Sequence, residues 1–115
     1  MSKPYLEYLR HILHEINFIM EQSGGLEPEE FLANEVLKRA IVRSLEVIGE
    51  AGKRLPAELR ERHRDIDRRA IAGTRDKLIH DYFDIDYEIV CDIVFSEIPQ
   101  LQEQIESLLR TEQRS

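Results

Sequence analysis

Residues 34–54 read NEVLKRAIVRSLEVIGEAGKR, and this stretch decides the fold. Leu37, Ile41 and Ile48 recur at helical spacing and the row runs on to Leu55. Val36, Ala40, Val47 and Ala51 form a second row beside it. Asn34 stands where a helix N-cap is favourable, because its side chain can accept a hydrogen bond from an orphan N–H of the first turn. An apolar stripe two rows wide needs more than one neighbour, so this helix is expected at the centre of a helical assembly. Pro56 follows its end.

Working outward, the chain keeps the same period. Pro4 is a good first-turn residue, and Leu6, Leu9, Leu13, Ile16 and Met20 predict a first helix over residues 4–21. Ser23-Gly24-Gly25 breaks it. Downstream, residues 56–63 are expected to form a short helix and residues 66–83 a third long one. Asp84-Ile85-Asp86 reads as a turn with a capping carboxylate. A last helix is expected over residues 87–110, with Val90, Val94, Ile98, Leu101, Ile105 and Leu108 as its buried face. Pro99 cannot sit in a straight helix interior, so a kink or restart is expected just before it. The tail after Arg110 is expected to fray. The result is an all-α, up-and-down bundle of four or five helices, in one domain spanning residues 1–115.

Composition narrows the function. The 115 residues carry a net charge of −7, which argues against a large nonspecific nucleic-acid binder. The charge is uneven: residues 53–77 hold nine of the sixteen Lys and Arg and sum to +4, whereas residues 78–115 sum to −7. Such a basic segment is either a solvated helix face or a surface that steers a phosphate-bearing partner. Cys91 is the only cysteine, so no intrachain disulfide can form, which fits a reducing compartment. No signal-peptide pattern and no apolar run of the ~18 residues a membrane span needs occurs, so a cytoplasmic location is expected.

The chemistry is expected in the run Arg75-Asp76-Lys77-Leu78-Ile79-His80-Asp81-Tyr82. On a helical wheel Ile71, Leu78, Ile79 and Tyr82 fall within roughly 60° of Arg75. Arg75 therefore sits within an apolar stripe, where a guanidinium needs a partner for its five donors. One reading is a structural ion pair with an acid of the central helix, Glu46 or Glu50. The other is a phosphate site. His80 lies about 140° away on a regular helix. Arginine and histidine converge only if the helix loosens near His80 or a second subunit supplies half the site.

Arg75-x4-His80-x-Tyr82 resembles the R-x4-H-x-Y motif of HepT-like proteins, the toxin half of HEPN/MNT toxin–antitoxin pairs. Arg43-Ser44-Leu45-Glu46-Val47-Ile48-Gly49-Glu50-Ala51 is similar to the family's second-helix signature. Gly73, the continuation Asp81-Tyr82-Phe83-Asp84-Ile85-Asp86 and the late element Ile98-Pro99-Gln100-Leu101 also fit. Two departures stand out: Asp76 occupies a position where many members have Asn, and no Trp lies near Cys91.

The resemblance implies a HEPN bundle that forms a homodimer with two motifs facing across a cleft. It implies a type VII toxin that is a metal-independent endoribonuclease, with Arg75 and His80 catalytic and RNA as substrate. Asp76, Glu46 and Glu50 would support the site. It also implies a minimal nucleotidyltransferase antitoxin that transfers AMP to Tyr82. No cofactor is expected. The rival reading is a non-catalytic HEPN module that binds a nucleotidyltransferase partner or a nucleotide, and Asp76 favours it.

Histidine suits the proton transfers, its unperturbed pKa being near neutrality. Arginine suits the phosphate, its fork donating two parallel hydrogen bonds. Tyr82 reads either as an amphipathic residue at the edge of the core or as the AMP acceptor. His11, His14 and Glu15 are too few to imply a metal site. Cys91 reads as a packing residue, and His63 as a solvated one.

Overall fold

The structure, a computed structural model, describes residues 3–64, 71 and 85–114. The expected third long helix over 66–83 lies outside the described residues, Ile71 excepted, which is helical and fully buried. Every regular element among the described residues is helical, as expected of an all-α bundle. The helices are α1 (Tyr5–Ser23), α2 (Pro28–Ala33), α3 (Glu35–Lys53), α4 (Ala57–Arg62), α5 (Tyr87–Asp92) and α6 (Ile98–Arg114), the last two joined by a π-helical turn at Ile93–Glu97.

The helix boundaries follow local chemistry. Asn34 Oδ1 accepts from the Leu37 N–H at 3.0 Å and caps α3. Asp86 Oδ1 accepts from the N–H groups of Glu88 (3.0 Å) and Ile89 (3.3 Å) and caps α5. The helix α2 was not expected. It starts with a reciprocal capping box between Glu27 and Glu30, with Pro28 at its first position. Its one buried side chain, Phe31, meets the Phe95 ring edge to face at 5.9 Å between centroids. Before Pro99 the helix widens rather than breaks: the Ile98 N–H reaches back five residues to the Ile93 carbonyl. Proline lacks an N–H and crowds the carbonyl four residues earlier, and a wide turn relieves both.

Packing bears on two of the expectations. Leu9, Ile12, Ile16 and Ile19 of α1 are wholly buried, and α1 packs along both α3 and α6. Among the described elements α1 thus lies between two long partners, and the long helix expected over residues 66–83 as a further neighbour lies outside the described residues. On α3 the row Leu37, Ile41, Ile48 and Leu55 is buried as expected. A further buried row runs through Lys38, Val42, Leu45, Gly49 and Gly52, while of the expected second row Ala51 is buried, Ala40 and Val47 are half-buried and Val36 is 81% exposed. Glycine and lysine do not register in a search for apolar residues. A glycine lets another backbone approach closely, and a lysine can bury its stem along apolar surface. Lys38 Nζ lies 4.5 Å from the centre of the Tyr87 ring and 2.9 Å from Glu35 Oε1, which ties the start of α3 to the start of α5. A third expectation fails at the C-terminus: α6 continues to Arg114 instead of fraying after Arg110. No helix among the described residues is long and apolar enough to cross a membrane.

The cap and the core make separable contributions. Asn34→Ala is expected to lower stability by about 1 kcal/mol, and Asn34→Asp to retain it, because aspartate also accepts from the first-turn N–H groups. Ile16→Ala, which empties a fully buried site, is expected to cost about 2–5 kcal/mol. Urea unfolding followed by circular dichroism distinguishes the two scales.

Candidate functional site

Arg75, Asp76, His80 and Tyr82 lie outside the described residues. The structure shows instead what holds the chain on either side of them. On the C-terminal side, the Asp86 cap fixes the entry to α5. On the N-terminal side, α4 ends at His63, and its last residues are bound to a buried carboxylate from the far end of the chain.

That carboxylate is Glu112 of α6, only 2% exposed. Its Oε1 accepts from Tyr5 Oη at 2.6 Å and from Arg62 Nη2 at 2.9 Å. Its Oε2 accepts from His63 Nε2 at 2.6 Å and from Arg62 Nε at 3.4 Å. Arg62 thus presents its fork side-on to both oxygens, a geometry lysine cannot reproduce. The Glu112 backbone carbonyl accepts from Lys3 Nζ at 2.7 Å. An ionised carboxylate has no proton to give, so His63 donates from Nε2.

The energetics follow from these contacts. Burial opposes ionisation of Glu112, but the hydrogen bonds from Arg62, Tyr5 and His63 outweigh it and hold the carboxyl at about 2, against an ordinary 4.5. The same contact with Glu112 pushes the Tyr5 hydroxyl up, since a phenolate there would face a carboxylate. It also raises the Arg62 pKa. His63, expected in solvent, is instead partly buried against Glu112: its side chain is 16% exposed. The sequence held no clear signal for this cluster, whose residues stand about fifty and one hundred positions apart.

Other expected site residues can be placed. Glu46 lies on α3, 3.9 Å from Arg43 Nη1, and Glu50 is exposed on the same helix. His11 and His14 are exposed, and no group of three metal-ligating side chains occurs among the described residues. Cys91 is buried, and burial pushes its thiol up, so it is poorly nucleophilic. It lines a cleft of about 360 Å³ with Pro28, Leu32, Glu88, Asp92, Phe95 and Ser96.

The described architecture is an all-α bundle, and comparison with known proteins places the chain in a family. The chain matches the family "Ribonuclease HepT-like" over residues 12–108 and belongs to that family, whose members are ribonucleases. It is 48% identical over 110 residues to a candidate RNase of Caldanaerobacter subterraneus subsp. tengcongensis, covering 96% of each chain. It is 41% identical over 103 residues to a candidate RNase of Methanocaldococcus jannaschii, covering 90% of this chain and 85% of that one. It is 36% identical over 108 residues to a candidate ribonuclease HepT of Thermococcus cleftensis, covering 94% of this chain and 98% of that one. No solved structure matches significantly.

The Glu112 cluster has a pH signature. Its carboxyl ionises near 2 in the fold and near 4.5 in the unfolded chain. The resulting stabilisation, about 3 kcal/mol, is present above pH ~4.5 and is lost as pH falls through ~2. Glu112→Gln is expected to destabilise the protein by about 3 kcal/mol at neutral pH. It is also expected to flatten the dependence of stability on pH between about 5 and 2. Denaturant titrations across that range test both expectations, and an unchanged slope would mean that Glu112 is not ionised against these partners.

Proposed function

We propose that this protein is the toxin of a toxin–antitoxin pair, an endoribonuclease that cleaves RNA without a metal ion through Arg75 and His80. The observation that carries the reading is the Arg75-x4-His80-x-Tyr82 run inside a chain of the HepT-like ribonuclease family. Metal-free cleavage uses the RNA's own 2′-hydroxyl. Its oxygen attacks the adjacent phosphorus and loses its proton to a base. The bond to the 5′-oxygen breaks, and that oxygen takes a proton from an acid, leaving a 2′,3′-cyclic phosphate and a 5′-hydroxyl. His80 serves the proton transfers. Arg75 binds two non-bridging oxygens and offsets the charge that builds on the phosphorane.

In this reading the 115-residue chain is a single domain that acts as a homodimer. Two motif helices would face one cleft, so a histidine and an arginine that diverge on one helix can converge from two. The antitoxin is a minimal nucleotidyltransferase that silences the site by AMP transfer. The Tyr82 oxygen attacks the α-phosphorus of ATP, pyrophosphate leaves, and the new phosphodiester competes for the guanidinium that would bind RNA. Asp76 sits beside Arg75 in sequence and makes the local charge less favourable to phosphate than an asparagine would. It is the one feature that supports a non-cleaving binding module instead.

Induced expression of the wild type is expected to arrest growth with fragmented RNA. Arg75→Ala and His80→Ala should each lower cleavage by at least about two orders of magnitude without unfolding the protein. Tyr82→Phe should retain cleavage and become resistant to AMP transfer by the cognate antitoxin, read as absence of the AMP mass increment. Intact RNA with the folded, unmodified wild type would reject the nuclease reading and leave the binding module.

A further inference from the structure

The structure divides the basic residues of the α3–α4 corner into two groups. Residues 53–64 contain Lys53, Arg54, Arg60, Arg62 and Arg64. Arg62 is committed to the buried Glu112 through two donors. Arg54, Arg60 and Arg64 differ. Like Arg62 they are exposed, but among the described residues their side chains make no ion pair. Arg54 caps the end of α3, Arg60 lies in the last turn of α4, and Arg64 follows the His63 cap. The corner that carries them is rigidly built: Leu55 and Leu59 are 3% and 1% exposed, and His63 is bound to Glu112 at 2.6 Å. Three exposed guanidinium groups on a fixed corner, within a chain of net charge −7, are a local exception to the charge of the whole.

We propose that Arg54, Arg60 and Arg64 form a phosphate-binding track for the RNA substrate, outside the cleavage motif. This inference rests on the ribonuclease reading and extends it to how substrate is held. Arginine is suited to such a track because its planar fork grips phosphate oxygens and cannot deprotonate. Exposed cations release condensed counterions from RNA when they bind, which gives affinity without sequence preference. Glu58 and Glu61 lie on the same short helix, and Glu58 faces Arg62, so they limit the net charge of the corner without pairing the three arginines.

The test is RNA binding by His80→Ala protein, which keeps the substrate whole, followed by fluorescence anisotropy of a short fluorescein-labelled single-stranded RNA across a salt series. Replacing Arg54, Arg60 and Arg64 together by Ala is expected to weaken binding about 10- to 100-fold at low salt. The slope of log K against log salt should fall by about 0.7 for each arginine–phosphate pair removed. Lysine at the three positions should restore most of the slope. Arg110→Ala, an exposed arginine in the acidic half of the chain, should leave it unchanged. Circular dichroism melts check that each variant is folded. An unchanged affinity and slope in the triple Ala variant, or an equal loss in Arg110→Ala, overturns the track. Failure of the nuclease reading looks different: wild-type protein then cleaves no RNA, whatever the binding slopes. Absence of RNA binding by every variant and by wild type would overturn both.

Discussion

A buried carboxylate bound, among the described residues, by three side chains from distant parts of the chain organises this molecule. Glu112 draws Tyr5 from the start of α1, Arg62 and His63 from the end of α4, and itself belongs to the last turns of α6. An ionised group at 2% exposure is tolerable only when its lone pairs are filled, since an unpaired buried charge costs several kcal/mol. Three elements must therefore arrive together or not at all. The apolar contacts of α1 with α3 and α6 are less demanding, because aliphatic side chains tolerate small slips in register. The hydrophobic core supplies most of the stability, and the carboxylate decides how the ends of the chain are aligned within it.

The same logic operates where α5 passes into α6. Val90, Val94, Ile98, Ile105 and Leu108 are all buried, although the two steps of four from Val90 to Ile98 would rotate around a regular α-helix. The π turn at Ile93–Glu97 takes up the excess residue and keeps both halves facing the core. It also accommodates Pro99 without a break. Together with the Asp86 cap, this fixes the chain that follows the motif, as the Glu112 cluster fixes the chain before it. If the proposed arginine and histidine do carry the reaction, such anchoring would matter, because small displacements in reacting geometry cost rate steeply.

Much of the fold was legible in the sequence because it rests on local rules. The Asn34 cap, the Ser23-Gly24-Gly25 break, the Asp86 cap and the disturbance before Pro99 each follow from the conformational needs of one or two residues. Where reading failed, the cause was long range or chemical. The stripe of α3 was mis-set on one flank because Gly49, Gly52 and Lys38 are buried for reasons that apolarity does not capture. The helix α2 was missed because its capping box uses two glutamates, a weaker signal than serine or threonine with glutamate. The end of α6 was expected to fray because chain termini are commonly poorly ordered unless tied down, and the Glu112 contacts that tie it down are long range. Nothing near Glu112 in sequence announces Arg62, His63 or Tyr5. The Arg75-x4-His80-x-Tyr82 run was legible by resemblance, and it lies outside the described residues.

The contrast among the arginines shows why charge patterns alone underdetermine function. Arg62 and Arg64 are two residues apart in a single basic run and both are exposed, yet the first is bound to a buried acid and the second makes no ion pair among the described residues. Net charge bears on the molecule as a whole and not on a local surface. At physiological ionic strength a charge is screened over about 8 Å, so an approaching phosphate senses the nearest few side chains and little of the −7 carried by the whole chain. An acidic protein can therefore present a local surface that attracts RNA. What separates such a surface from an ordinary solvated face is whether its cations already have partners, and that depends on packing, which brings Glu112 to Arg62 and leaves Arg64 in solvent.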